Sequence, residues 1–183
     1  MTLNEWAQYI TQVREKKGFK TSKENALEKL MLVITELDEA DDAFGQENAD
    51  NFYEELADAQ IRILDLAAAC AINIELELEK FLGRSAYDFQ GLADEYGRLV
   101  KDHLDPEADS EILKMRLFAA VKHLSKAAEA VRRQQDDEFA KYLARACWVI
   151  AGMAMACKND HEAEIQKKMK VNEGRPYLHE KIA

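Results

Sequence analysis

The sequence predicts an all-α bundle of two tandem, diverged repeats, and three observations lead there. Only 2 Pro and 7 Gly occur in 183 residues, too few turn-makers for a many-stranded sandwich or barrel, while 33% charged and 48% hydrophobic residues suit amphipathic helices. Apolar residues recur at steps of three and four over most of the chain. A shift of 87 positions then lays Phe139, Leu143, Ala146, Ile150 and Cys157 on Phe52, Leu56, Ala59, Ile63 and Cys70, and Leu117, Leu124 and Ala127 on Leu30, Leu37 and Ala40. One register over two helices without a gap points to repeated units stacked face to face, a covalently joined pseudo-dimer. The plainer account, that any two bundle helices rich in Ala and Leu align this well, stays open.

The elements follow in order. Thr2 with Glu5 reads as a capping box before a helix carrying Trp6, Ile10 and Val13, which should stop at Gly18. A second box, Thr21 with Glu24, opens a longer helix with Leu27, Leu30, Ile34 and Leu37 on its apolar side, ending at Gly45. Asn48 or Asp50 caps the third helix, whose row Phe52, Leu56, Ala59, Ile63, Leu66, Cys70 alternates steps of four and three, as along a bundle seam. A shorter helix runs from Ile74 to Leu82 and stops at Gly83. Residues around Arg84 to Pro106 are the least periodic, which divides the chain into a first repeat (1–87), a connecting segment (88–107) and a second repeat (108–183).

A mass of 20.9 kDa fits one domain or two closely packed small ones, large enough for a core without disulfides. Cys70, Cys147 and Cys157 lack CxxC spacing, lie in apolar helical stretches and are expected as buried thiols. With 25 basic against 35 acidic residues the net charge is -10, which disfavours duplex nucleic acid and anionic membranes as partners but leaves a small polyanion open to a cleft with local cations. No run approaches the ~20 apolar residues needed to span a bilayer, and MTLNEWAQYI has no basic n-region followed by an apolar h-region, so a cytoplasmic location is expected.

Glu36 and Glu39 lie one turn apart on the second helix, and Glu55 and Asp58 one turn apart on the third. The short loop between these helices makes them antiparallel neighbours, so the four carboxylates can face one gap and offer hard oxygen ligands to divalent cations. Two Mg²⁺ ions there could clamp a triphosphate and lower the pKa of a bound water. The competing reading is a pair of solvated acidic faces, common in so acidic a chain. Against it, Glu36 and Glu39 share their row with Leu32 and Ala43, and Glu55 directly precedes Leu56 and Ala57.

The text ITELDEA followed by EELAD, with Glu55 sixteen residues after Glu39, resembles the MazG-type all-α nucleoside triphosphate pyrophosphohydrolases, whose motif is E-E-x-x-E followed by E-x-x-D. The stretches EKLMLVITELDEADDAF and EELADAQIRILDLAAACAIN are also similar to the family's helices. The resemblance implies Mg²⁺, with Mn²⁺ as an alternative, bound by Glu36, Glu39, Glu55 and Asp58. Thr35 stands where the strict motif has its first Glu. It further implies that Arg62 and Asp65 orient ligands or touch phosphate, although an ordinary surface pair is an equal reading of those two. The family's Lys, Asn and Arg on the next helix are absent from the first half, which has Phe81 and Ser85 instead; Lys168, Asn172 and Arg175 supply them in the second, followed by Pro176, Tyr177, His179 and Lys181, with Glu180 in place of the usual Gly. The resemblance makes Lys168, Asn172, Arg175 and Tyr177 substrate-binding, whereas helix C-capping is the simpler use of such a basic end.

The two halves are complementary. At the positions of Glu36, Glu39, Glu55 and Asp58 the second half carries His123, Lys126, Tyr142 and Arg145, which no divalent ion would choose. If both sets of residues serve one site, the C-terminal segment must reach the acids of the first half within the chain or from a neighbouring chain of a homo-oligomer. The function implied by the resemblance is hydrolysis of a nucleoside triphosphate to monophosphate and pyrophosphate, with one of the acids or Asp65 helping to take the proton. The alternative is a non-catalytic nucleotide- or partner-binding module on the same bundle. Trp6, Phe19 and Lys20 could wall a nucleobase by stacking, though residues such as Trp6 and Phe19 more often serve as core or helix packing. Trp148, Met153 and Met155 read as core, and His103 and His161 have no partner at ligand spacing. Glu-x-x-His pairs on facing helices, a Gly-rich phosphate loop, G-x-S-x-G and a zinc signature are all missing.

Overall fold

A computed structural model describes residues 1–45, 48–100, 102–106 and 108–176. Among these residues every regular element is helical: α1 (Leu3–Lys16), a 3₁₀ turn (Lys23–Asn25), α2 (Ala26–Gly45), α3 (Ala49–Ala69), α4 (Ile74–Leu82), α5 (Phe89–Leu99), α6 (Ser110–Arg132), α7 (Asp136–Ala156) and α8 (His161–Gly174). Among the described residues no helix is long and apolar enough to cross a membrane. Pro and Gly are scarce, and the helices begin and end where capping chemistry places them. Thr2 and Glu5 form the expected reciprocal box, Asn48 accepts from the Asn51 amide, and Gly83 adopts φ 72° to close α4.

The centre of the bundle is α3 against α7. Phe52, Leu56, Ala59, Ile63 and Leu66 are all buried, each large side chain contributing about 1.5–3 kcal/mol by leaving water. Small residues such as Ala59 and Ala146 allow close approach, and Gln60 Nε2 donates to Cys147 Sγ at 2.9 Å across the buried seam. Helices α2 and α6 flank this layer, α2 packing on both α3 and α6, and α6 on α7. Two crossings follow: α8 lies on α3, and α4 lies on α7. In the same reciprocal way α1 packs on α3, and α5 on α7. The bounds of α3 and α7 differ by 87 residues at both ends, as do the first residues of α4 and α8. Ala71 and Lys158, also 87 apart, both turn through positive φ after their helices, at 55° and 57°.

Four expectations need correction. The Thr21–Glu24 box does not form: Ser22 is the N-cap, its amide donating to Asn25 Oδ1, because the Thr21 hydroxyl is committed to Asp65 at 2.6 Å. Leu27 is 44% exposed, since Ala26, four residues before Leu30, takes the inward position of the first turn. The connecting segment contains α5, whose Phe89, Leu92 and Tyr96 are buried at steps of three and four. Its periodicity is masked by Gly91 and Gly97, and one close contact compensates on the other side: a Cβ on Gly152 would lie 2.8 Å from the Tyr96 ring. Of the thiols, Cys147 is fully buried, whereas Cys70 and Cys157 are half-buried at helix ends.

Candidate functional site

The antiparallel α2–α3 pair brings Glu36, Glu39 and Glu55 together, with one carboxylate oxygen of each within 4.8 Å of the others. Three hard oxygen donors at this separation fit a divalent cation of the Mg²⁺ or Ca²⁺ type. Their environments differ: Glu36 is 6% exposed, Glu55 is partly buried, and Glu39 is open to solvent. Arg62, one turn and more beyond Asp58 on α3, donates its Nε to Glu36 Oε1 at 2.6 Å, so Arg62 meets one of the three clustered carboxylates directly. The Glu55 carboxyl is pushed up to about 7, first by burial, then by the charge of Asp58 and a hydrogen bond with Glu36, while Lys168 acts in the opposite direction. Converging carboxylates, two of them wholly or partly buried, resist full ionisation unless a cation joins them.

Asp58 stands apart from that trio. Its Oδ2 is 2.8 Å from Lys168 Nζ, which also lies 3.4 Å from Glu54 Oε2. Lys168 is only 16% exposed. Burial would lower its pKa, but Asp58, Glu55 and Glu54 outweigh that and raise it, so the ammonium is held as a cation. Lys168 comes from α8, more than a hundred residues along the chain, and reaches α3 because the two helices cross. Several ties set that crossing: Trp6 Nε1 donates to Glu162 at 2.9 Å, the Tyr9 hydroxyl to Glu173 at 2.7 Å, Lys17 to the carbonyls of Glu173 and Arg175, and Lys167 to Glu54 at 2.7 Å.

Beside this ion pair opens a cleft of about 500 Å³. Asp58, Arg62 and Asp65 from α3 line one wall, and Asn172 and Arg175 from α8 line another. Ile10, Val13, Leu32, Ile61 and Met169 give it an apolar floor, with Phe19 at the edge. Asp58 of the first half and Lys168, Asn172 and Arg175 of the second therefore come together within one chain, whereas Glu36, Glu39 and Glu55 do not line this cleft. Tyr177, His179, Glu180 and Lys181 lie outside the described residues.

Two candidates, Trp6 and Asp65, are engaged in ties between helices. Trp6 is 3% exposed and is not among the cleft residues; its indole packs edge-on to Tyr9, so it positions α8 and offers no stacking surface to a base. Asp65 accepts from Thr11 Oγ1 at 3.0 Å, Arg14 Nε at 2.8 Å and Thr21 Oγ1 at 2.6 Å. With its oxygens so engaged, it ties the α1–α2 connection to α3 and fixes the back of the cleft. Arg14 extends the tie by donating to the Phe19 carbonyl at 2.8 Å. Sequence reasoning passed over Thr11 and Arg14 and read Thr21 only as a cap. A basic residue and two hydroxyls spread over eleven positions carry no spacing signal, and only the packing of α1 on α3 assembles them. Comparison with protein families, with curated proteins and with solved structures finds no match to this chain.

Proposed function

We propose that this chain is a divalent-metal-dependent nucleoside triphosphate pyrophosphohydrolase of MazG type, releasing a nucleoside monophosphate and pyrophosphate. The observation that carries the reading is the Lys168–Asp58 ion pair, which brings α8 with its Asn172 and Arg175 onto α3 one turn from Glu55 of the Glu36–Glu39–Glu55 cluster, beside a cleft of nucleotide size lined by Asp58, Arg62, Asn172 and Arg175. Glu36, Glu39 and Glu55 would hold Mg²⁺, with Asp58 one turn away as a further oxygen donor; when bound, the cation supplies charge neutralisation for the phosphates and acidifies a water. The chain's own groups do the rest. Lys168 and Arg175 set positive charge against the phosphate oxygens, Asn172 offers amide hydrogen bonds between them, and the apolar floor from Ile10 to Met169 excludes water beside the base. One of the clustered acids would take the proton from attacking water.

The architecture we propose with it is a pair of tandem repeats related by an approximate two-fold axis. The 87-residue offset of helix bounds and turns supports it, as do the reciprocal contacts α3 with α8 against α4 with α7. Phe81 and Arg145 meet in the second half at the positions where Lys168 and Asp58 meet in the first, with Arg145 Cζ 5.1 Å from the Phe81 ring.

A second reading, a binding module without catalysis, is favoured by the side chains already paired with the acids: Arg62 with Glu36 and Lys168 with Asp58. Steady-state pyrophosphate release from a panel of ribo- and deoxyribonucleoside triphosphates with Mg²⁺ separates the two. Metal-dependent release abolished by Glu39→Gln supports the enzyme. Saturable nucleotide binding with no release from any triphosphate supports the module.

A further inference from the structure

The second half holds a cluster that the reading above does not use. Helices α6 and α7 stack the His123 ring on Tyr142, with centroids 6.2 Å apart and planes at 24°. Lys126 Nζ lies 5.2 Å from the Tyr142 centroid, Lys141 Nζ 5.0 Å and Arg145 Cζ 5.7 Å, and Arg145 also covers Phe81 of α4. Lys141 is matched by Glu138 at 2.8 Å. Among the described residues, Lys126 and Arg145 have no ion pair. Arg145 Nε and His123 Nδ1 are buried with no hydrogen-bond partner.

That is anomalous in a chain of net charge -10, where carboxylates are plentiful. Positive charge dominates locally: after burial, Arg145, Lys126 and Lys122 are what hold the His123 pKa below its ordinary value. Two cations and a lone imidazole do not bind a divalent metal. They suit an anion. A guanidinium clamped between two aromatic faces loses little freedom on binding and presents its N–H edge as a fork for paired oxygens, while the exposed Lys126 adds a mobile point charge. Glu138, bonded to Lys141 and Tyr142 and acting on Arg145 through space, offsets part of this charge; Lys126 and Arg145, neither in an ion pair among the described residues, still call for more than one negative charge on the ligand.

We propose that His123, Lys126, Tyr142 and Arg145 form a second, metal-independent site that binds a di- or triphosphate anion. The ligand could be inorganic pyrophosphate or the phosphate tail of a nucleotide; both share the chemistry this cluster recognises. The site does not depend on hydrolysis in the first cleft.

The test is isothermal titration of the full chain in chelator with inorganic pyrophosphate and, separately, with a nucleoside triphosphate. Saturable pyrophosphate binding is expected, weakened roughly ten- to a hundredfold by Arg145→Gln and several-fold by Lys126→Gln, with Lys168→Gln without effect. Lys126 is exposed, so its replacement reads the site without disturbing the fold. Equal affinity for the two probes would identify phosphate alone as the determinant, and tighter triphosphate binding that both substitutions weaken would add a nucleoside contact; either supports the proposal. No binding at millimolar concentrations, binding undiminished in both variants, or binding abolished by Lys168→Gln would overturn it.

Discussion

Lys168→Met is the most informative single change, because Lys168 carries a cation of the second half to Asp58 among the acids of the first. The substitution keeps the length of the stem against Met169 and α3 and removes only the charge. The lost contact is a 2.8 Å ion pair with Asp58, 16% and 25% exposed on the two sides. Enclosed to that degree, a charge-assisted hydrogen bond contributes about 1.5–3 kcal/mol, well above an exposed pair. For a chain of this size that predicts a fall in Tm of roughly 3–12 °C. If the same ammonium contacts phosphate in the transition state, kcat/KM should fall roughly ten- to a hundredfold. A pH profile separates the two roles. Lys168 is the main influence lowering the Glu55 pKa, so without it Glu55 titrates above its value of about 7. Glu55 must be ionised to hold a cation, and the acid limb of the rate profile should therefore move to higher pH while the alkaline limb stays. Lys168→Arg should restore the position of that limb. Steady-state pyrophosphate release across pH, with thermal unfolding in parallel, measures all three. A lowered Tm with kcat/KM within threefold of the parent and an unmoved acid limb would make Lys168 a structural cation and refute the shared cleft.

Glu39→Gln should abolish hydrolysis and divalent-ion binding in calorimetry with unchanged circular dichroism, since Glu39 is exposed and leaves no cavity. Arg175→Ala should lower kcat/KM roughly ten- to a hundredfold with almost no change in Tm, because Arg175 is an exposed cleft residue; unaltered kinetics would remove it from the site. His161, packed edge-on to Phe89 with both ring nitrogens unpartnered, has its pKa pushed down to about 4 by burial. The folded state thus binds fewer protons than the unfolded one between pH 6.5 and 4, so its contribution is complete above pH 6.5 and is lost as the pH falls through that window, by about 3 kcal/mol. Urea titrations should show this loss in the parent and a flatter profile in His161→Leu; equal slopes would contradict it.

What the sequence could and could not reveal divides along physical lines. The α3 row is readable because a helix buried on one face must repeat every three or four residues, and the row from Phe52 to Leu66 is buried throughout. The Glu36–Glu39–Glu55 convergence is nearly as readable, since a short antiparallel connection forces the two helix faces together. Asp58 could be placed on the correct face, but its partner could not, because the approach of Lys168 depends on how α8 crosses α3. Thr21 misled for a related reason. A hydroxyl near a helix start has a local use as a cap and a distant use as a donor, and the buried Asp65 carboxylate wins it. Trp6 was ambiguous by chemistry, since an indole is both a stacking surface and a core residue, and its hydrogen bond to Glu162 decides the matter. In α5 two glycines dilute a pattern carried by three residues.

The crossing of α8 over α3 also has a consequence for how the molecule is made. Synthesis runs from the N-terminus, and α8 follows every other described helix. While α1 to α3 have left the ribosome and α8 has not, Asp58 and Glu54 lack the lysines that later neutralise them, and Met169, which is buried in the finished protein, has not arrived to cover the cleft. A nascent chain therefore exposes an acidic, half-open cavity for as long as translation of the second half takes. Any ligand or helper that recognises that cavity acts before the cleft closes.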